Sequence, residues 1–199
     1  MPAGSSAARP LHYSVTIMTI HWLTVALMAI VVVLAWTWPH GPARDTSSQL
    51  FLHRSIGLAI LALAVLRIVV RWHSAIPDEG AGLTPLEDVA SRVTRWLLYA
   101  ILLAMPVTGF LWATSRGASV DVFGLFAMPP LLPPSESLRS VVRAMHSLGQ
   151  YAVYAVVGLH AAAALFHLIV RRDDVMARML PGARLTRPPQ PAAARPGAR

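Results

Sequence analysis

Three stretches of the chain, Tyr13 to Trp38, Trp96 to Ser115 and Ala144 to Val170, run 26, 20 and 27 residues without an Asp, Glu, Lys or Arg. At ~1.5 Å of rise per residue, about 20 apolar residues cross the roughly 30 Å of a bilayer's hydrocarbon. A fourth stretch, Leu50 to Val70, carries only Arg54 near its start and Arg67 near its end, positions from which a long side chain can snorkel to the interface. Four spanning helices follow. A water-soluble globule does not, because 55% of the 199 residues are hydrophobic and only 13% are charged. The chain has no Cys, which excludes a disulfide-stapled fold, a thiolate metal site and covalent c-type haem attachment.

The first apolar stretch is too long for the core of a cleaved signal peptide. It ends in Ala35, Trp36, Thr37, Trp38 and Pro39, an aromatic belt leading into a turn rather than a small-residue cleavage site. The expected organisation is a cytoplasmic segment 1–12, then an all-α integral-membrane four-helix bundle over 13–181, with helices at about 13–38, 50–72, 93–115 and 138–170. A disordered Arg-, Pro- and Ala-rich tail, 182–199, closes the chain. Pro106 falls inside the third helix and is expected to kink it. All 17 basic residues are Arg, and seven of them follow residue 170, where they meet anionic lipid head groups rather than nucleic acid. Arg9, Arg67, Arg71, Arg92, Arg95 and the seven of the tail make 12 on one side of the four helices. Arg44, Arg54, Arg116, Arg139 and Arg143 make five on the other, which places both termini in the cytoplasm.

Five of the eight His (His21, His53, His146, His160 and His167) fall in or at the ends of the spans. An intramembrane imidazole needs partners and usually faces the bundle. Depth sorts them. His21 lies about 12 Å from the cytoplasmic end of helix one and His160 about 15 Å from the same end of helix four, while His53 and His146 both lie near the outer end. Along helix four His146 and His160 are about 21 Å apart and roughly 40° from alignment, so one face presents an imidazole at each level. Two neutral imidazoles from facing helices, with no Cys, Asp or Glu at either depth, suit axial ligation of a haem b iron better than a four-ligand zinc site or a carboxylate di-iron site. The candidate pairs are His21 with His160 and His53 with His146. Gly57, Gly149, Gly158 and Ala161 to Ala164 offer room for a flat macrocycle, although small residues also serve ordinary helix packing. With both axial positions filled, the chemistry is electron transfer rather than oxygen binding. His12, His40 and His73 lie outside the spans and receive no role.

His21-Trp22, Leu52-His53-Arg54-Ser55-Ile56-Gly57, Met105-Pro106-Val107-Thr108-Gly109, Met145-His146-Ser147-Leu148-Gly149, Gly158 to Ala164 with His167, and the closing Asp173 to Pro181 resemble the bacterial cytochrome b561 family over about residues 10 to 181. The resemblance implies an inner-membrane protein with two haem b groups that exchanges electrons with membrane quinone, in some members linked to superoxide oxidation. It also implies the same two ligand pairs. His167, near the cytoplasmic level, can hydrogen-bond a quinone carbonyl or shuttle its proton; the competing reading is an interfacial His bonded to a carbonyl or lipid. Arg67 and Arg71 can pair with haem propionates, or serve as positive-inside anchors. Arg54, Arg116, Arg139 and Arg143 can draw a small anionic donor toward the outer face. Two other functions stay open: a haem b anchor subunit of a larger dehydrogenase or hydrogenase, and a haem-free proton-conducting or transporter module.

Overall fold

A computed structural model describes residues 10–39, 41, 46–78, 80 and 82–185. Most of segment 1–12, Arg44, and the tail from residue 186 onward lie outside the described residues. Four long helices, each apolar enough to cross a membrane, make up the protein: α1 (Val15–Thr37), α2 (Ser48–His73), α3 (Pro85–Thr114) and α4 (Glu136–Phe166). Between α3 and α4 lies a small antiparallel hairpin, β1 (Val120–Val122) with β2 (Phe126–Met128), paired Val120 to Met128.

Each helix starts where a hydroxyl can satisfy an orphan backbone N–H. Ser14, Ser47 and Ser135 accept from Ile17, Leu50 and Leu138. Thr84 forms a reciprocal capping box with Glu87, with Pro85 at the first helical position. That box starts α3 at Pro85 rather than near 93, so its first two turns, which carry Glu87 and Asp88, project beyond the apolar stretch. The helix runs on through Pro106. Within the spans the hydroxyls turn back on their own helix, Thr24 donating to the Ile20 carbonyl and Thr114 to that of Phe110.

Packing follows chain order: α1 lies on α2, α2 on α3, and α3 on α4. Val31, Ile56, Ile60, Ala64 and Leu102 form the core shared by the first three helices. No comparably broad contact joins α1 to α4 among the described residues; there Trp36 Nε1 donates to the Tyr154 hydroxyl at 2.8 Å. Large apolar side chains such as Trp36, Trp72, Trp96, Leu148 and Leu159 face outward, as lipid contact requires.

The two ends of the bundle differ. At the hairpin end, fully buried Ser55 holds β1, its Oγ accepting from Phe123 N–H at 3.0 Å. At the other end the chain beyond α4 returns to the start of the molecule. Tyr13 N–H donates to the Arg178 carbonyl, Trp22 Nε1 to that of Met179 at 2.8 Å, and His12 Nε2 lies 3.0 Å from the Ala183 carbonyl oxygen.

Candidate functional site

Near the termini end, α1 and α4 bring His21 and His160 to one level, ring centroids 6.4 Å apart and planes at 85°. Toward the hairpin end, α2 and α4 do the same with His53 and His146, at 6.2 Å and 83°. α4 contributes one imidazole to each level.

At the hairpin-end level both rings are held by backbone carbonyls. His53 Nδ1 lies 3.1 Å from the Val31 carbonyl oxygen, and His146 Nδ1 lies 3.0 Å from that of Met105. A carbonyl only accepts, so Nδ1 bears the hydrogen and Nε2 keeps its lone pair, the tautomer that a metal-ligating His adopts. Trp38 packs on His53 and Trp112 on His146, with centroids at 5.2 and 6.0 Å.

At the termini-end level the neighbour is a cation. Arg67 Nη1 lies 3.0 Å from His21 Nδ1, and its Cζ sits 6.0 Å from the centroid of Tyr99. Arg71 lies one turn further along α2, half-buried. Arg67 thus stands beside a candidate imidazole, which its position on helix two did not reveal.

Two clefts, about 310 and 360 Å³, flank the His53–His146 pair and share Trp38, Gly57, Pro106, Trp112 and Arg143. The first carries Arg54, Arg116 and Arg139. The second is walled by Met28, Val31, Ile60 and Leu102, with Gln150 and Tyr154 as polar members. The glycines divide by role. A Cβ at Gly57 or Gly158 would meet nothing within 4 Å, so both border open space. A Cβ at Gly109 would come within 2.8 Å of His146 Cε1, and one at Gly149 within 2.5 Å of Met105 Sδ. Gly149 therefore allows α3 and α4 to approach, and Gly109 lets His146 take its place. Sequence reasoning gave Gly109 no role, since its significance rests on a contact with another helix.

His167 is buried and its Nδ1 lies 2.7 Å from Asp173 Oδ2. Among the described residues no three His, Asp or Glu side chains converge on a common metal position, so a four-ligand zinc centre has no donor set. At the hairpin-end level the paired imidazoles are instead bordered by two open clefts, one rich in Arg and one mostly apolar, which fit a flat macrocycle with charged edge groups.

Residues 12–182 match the sequence profile of prokaryotic cytochrome b561. The chain is 32% identical over 173 residues to a probable superoxide oxidase CybB of Yersinia pestis, covering 85% of this chain and 96% of that one. It is 28% identical over 180 residues to cytochrome b561 homolog 2 of Escherichia coli K12, covering 86% and 92%, and 25% identical over 175 residues to homolog 1 of that strain, covering 85% and 97%. A profile spanning nearly the whole described chain and a relative matched along almost its full length lead to one conclusion: this chain belongs to the prokaryotic cytochrome b561 family, as a multi-pass haem b electron-transfer protein of a bacterial membrane.

Proposed function

We propose that the chain carries two haem b groups across a bacterial inner membrane with both termini in the cytoplasm. His21 and His160 hold one haem, His53 and His146 the other, and electrons pass between a small anionic donor outside and membrane quinone. One observation carries the reading. A metal ion held by two imidazoles would need the two rings to face each other across a gap that admits one ion and two metal–nitrogen bonds of roughly 2 Å each. The centroids stand 6.4 and 6.2 Å apart at the two levels. Haem b held between two such imidazoles would supply one-electron transfer without an open site for oxygen.

The rest is supplied by the chain. The Val31 and Met105 carbonyls fix the tautomer and orientation of His53 and His146. Arg67 and Arg71 provide positive charge for haem carboxylates at the cytoplasmic level. On the outer side Arg54, Arg116, Arg139 and Arg143 line one cleft, so an anion such as superoxide is drawn toward His53 and His146; the name of the Yersinia pestis relative points the same way. His167, two turns beyond His160 on a similar face of the helix, offers a hydrogen bond or a proton to a quinone oxygen.

The test is a reduced-minus-oxidised optical spectrum with haem counted per polypeptide. Two haem b per chain are expected, with one lost in His21→Ala and the other in His53→Ala. A wild-type count of one would remove one pair from the proposal.

A further inference from the structure

Past Phe166 the winding of α4 changes. Residues His167–Arg171 form a π turn, Arg172 takes the left-handed conformation at φ 49°, and the N–H groups of Arg172 and Asp173 both return to the His167 carbonyl. Such a reversal ends a helix by folding the next residue back beneath its last turn. Here that residue is Asp173. Its Oδ2 lies 2.7 Å from His167 Nδ1, and its Oδ1 accepts from Val175 N–H at 3.1 Å. The π turn and the left-handed residue thus place a carboxylate against a buried imidazole.

Other charges surround the pair. Arg171 Nε lies 3.8 Å from Asp173 Oδ2, but its Nη1 donates to Glu87 Oε1 on α3 at 2.8 Å and its Nη2 to the Gly82 carbonyl. Glu87 is further engaged with Thr84, while Arg172 donates to the Ile169 carbonyl and Asp174 follows in the chain. Arg171 is therefore held chiefly by α3, and Asp173 Oδ2 is closest to the imidazole.

We infer that Asp173 is the positioning partner through which His167 handles the protons of quinone reduction. The inference rests on the quinone reading above and names a residue which that reading leaves out. Asp173 accepts Nδ1–H and so fixes the ring with Nε2 as its working nitrogen; it also supplies the counter-charge that a buried imidazolium requires. In the full reaction two superoxide anions each lose one electron and leave as dioxygen, and the quinone gains two electrons and two protons to become quinol. The doubly protonated His167 ring gives each proton from Nε2–H, while Nδ1–H stays on the ring and remains donated to Asp173 Oδ2. It regains the proton from water at the cytoplasmic end.

The experiment mixes dithionite-reduced holoprotein with a short-chain benzoquinone over a range of concentrations and follows haem oxidation optically. Asp173→Asn keeps an acceptor for Nδ1–H but removes the charge. Its limiting rate should fall at least about tenfold, a part of the roughly 10²–10⁴-fold that positioned proton transfer contributes, since the Asn still holds the ring; half-saturation and haem content should be unchanged. Asp173→Glu should recover most of the rate. An Asn variant as fast as the wild type overturns the role of Asp173, as does one that loses haem or changes only in half-saturation, since either marks a purely structural residue. Wild-type haem that the quinone cannot oxidise overturns the quinone reading itself, a result separate from any difference between variants.

Discussion

Single atoms decide whether His146 can take its place. The Gly109 Cα has room for hydrogen but not for a methyl group, because an added Cβ would lie 2.8 Å from the imidazole Cε1. Gly109→Ala should therefore displace the ring from the Met105 carbonyl; if each His pair holds a haem as proposed, haem per chain should fall from two toward one while the haem on His21 and His160 keeps its spectrum. Gly149→Ala is the contrast, since its clash is with the flexible thioether of Met105, and it should retain both haems. The four paired His were legible in the sequence because depth along a helix follows from counting residues. Their carbonyl partners were not legible, for every residue has a carbonyl and nothing in Val31 or Met105 announces its use. Asp173 was equally hidden: six positions from His167, it meets the ring only because the helix unwinds between them.

Helices, at the next scale, were read from charge-free length, and that signal is strong wherever hydrocarbon forbids alternatives. Their ends were less legible, because caps rather than hydropathy set them: α3 begins at the Thr84 box, well before its apolar stretch. The hairpin went unseen, since three-residue strands in a Pro-rich loop have no periodicity to detect. Its attachment is nonetheless specific. Ser55 Oγ accepts from Phe123 N–H at 3.0 Å and lies 3.4 Å from the Asp121 carbonyl oxygen. Ser55→Ala removes the buried hydroxyl that ties the hairpin to α2, and Asp121 and Phe123 are exposed enough for water to replace it, so about 0.5–1.5 kcal/mol of stability should be lost. A lower thermal midpoint of the holoprotein in detergent, with haem content unchanged, is the expected result.

Across the whole molecule, charge is arranged by side. Arg54, Arg116, Arg139 and Arg143 converge on one cleft although they come from α2, α4 and the turn after α3, a convergence that counting loop charges suggested only as an excess. If their summed field draws in the donor, superoxide oxidation should slow as ionic strength rises, and replacing two of the four with Gln should flatten that dependence. Stopped-flow measurement across a salt series checks this, and a rate indifferent to salt removes the steering role. The bundle's connectivity has its own consequence. Neighbours in sequence pack as neighbours in space, whereas both imidazole pairs tie α4 to α1 or α2. A polypeptide built this way can assemble three successive hairpins on leaving the translocon and still have its first and last helices joined by only a few hydrogen bonds. Metalloporphyrin insertion then becomes the last joint in its biogenesis, and a cell starved of that pigment should clear the unfinished chain by proteolysis.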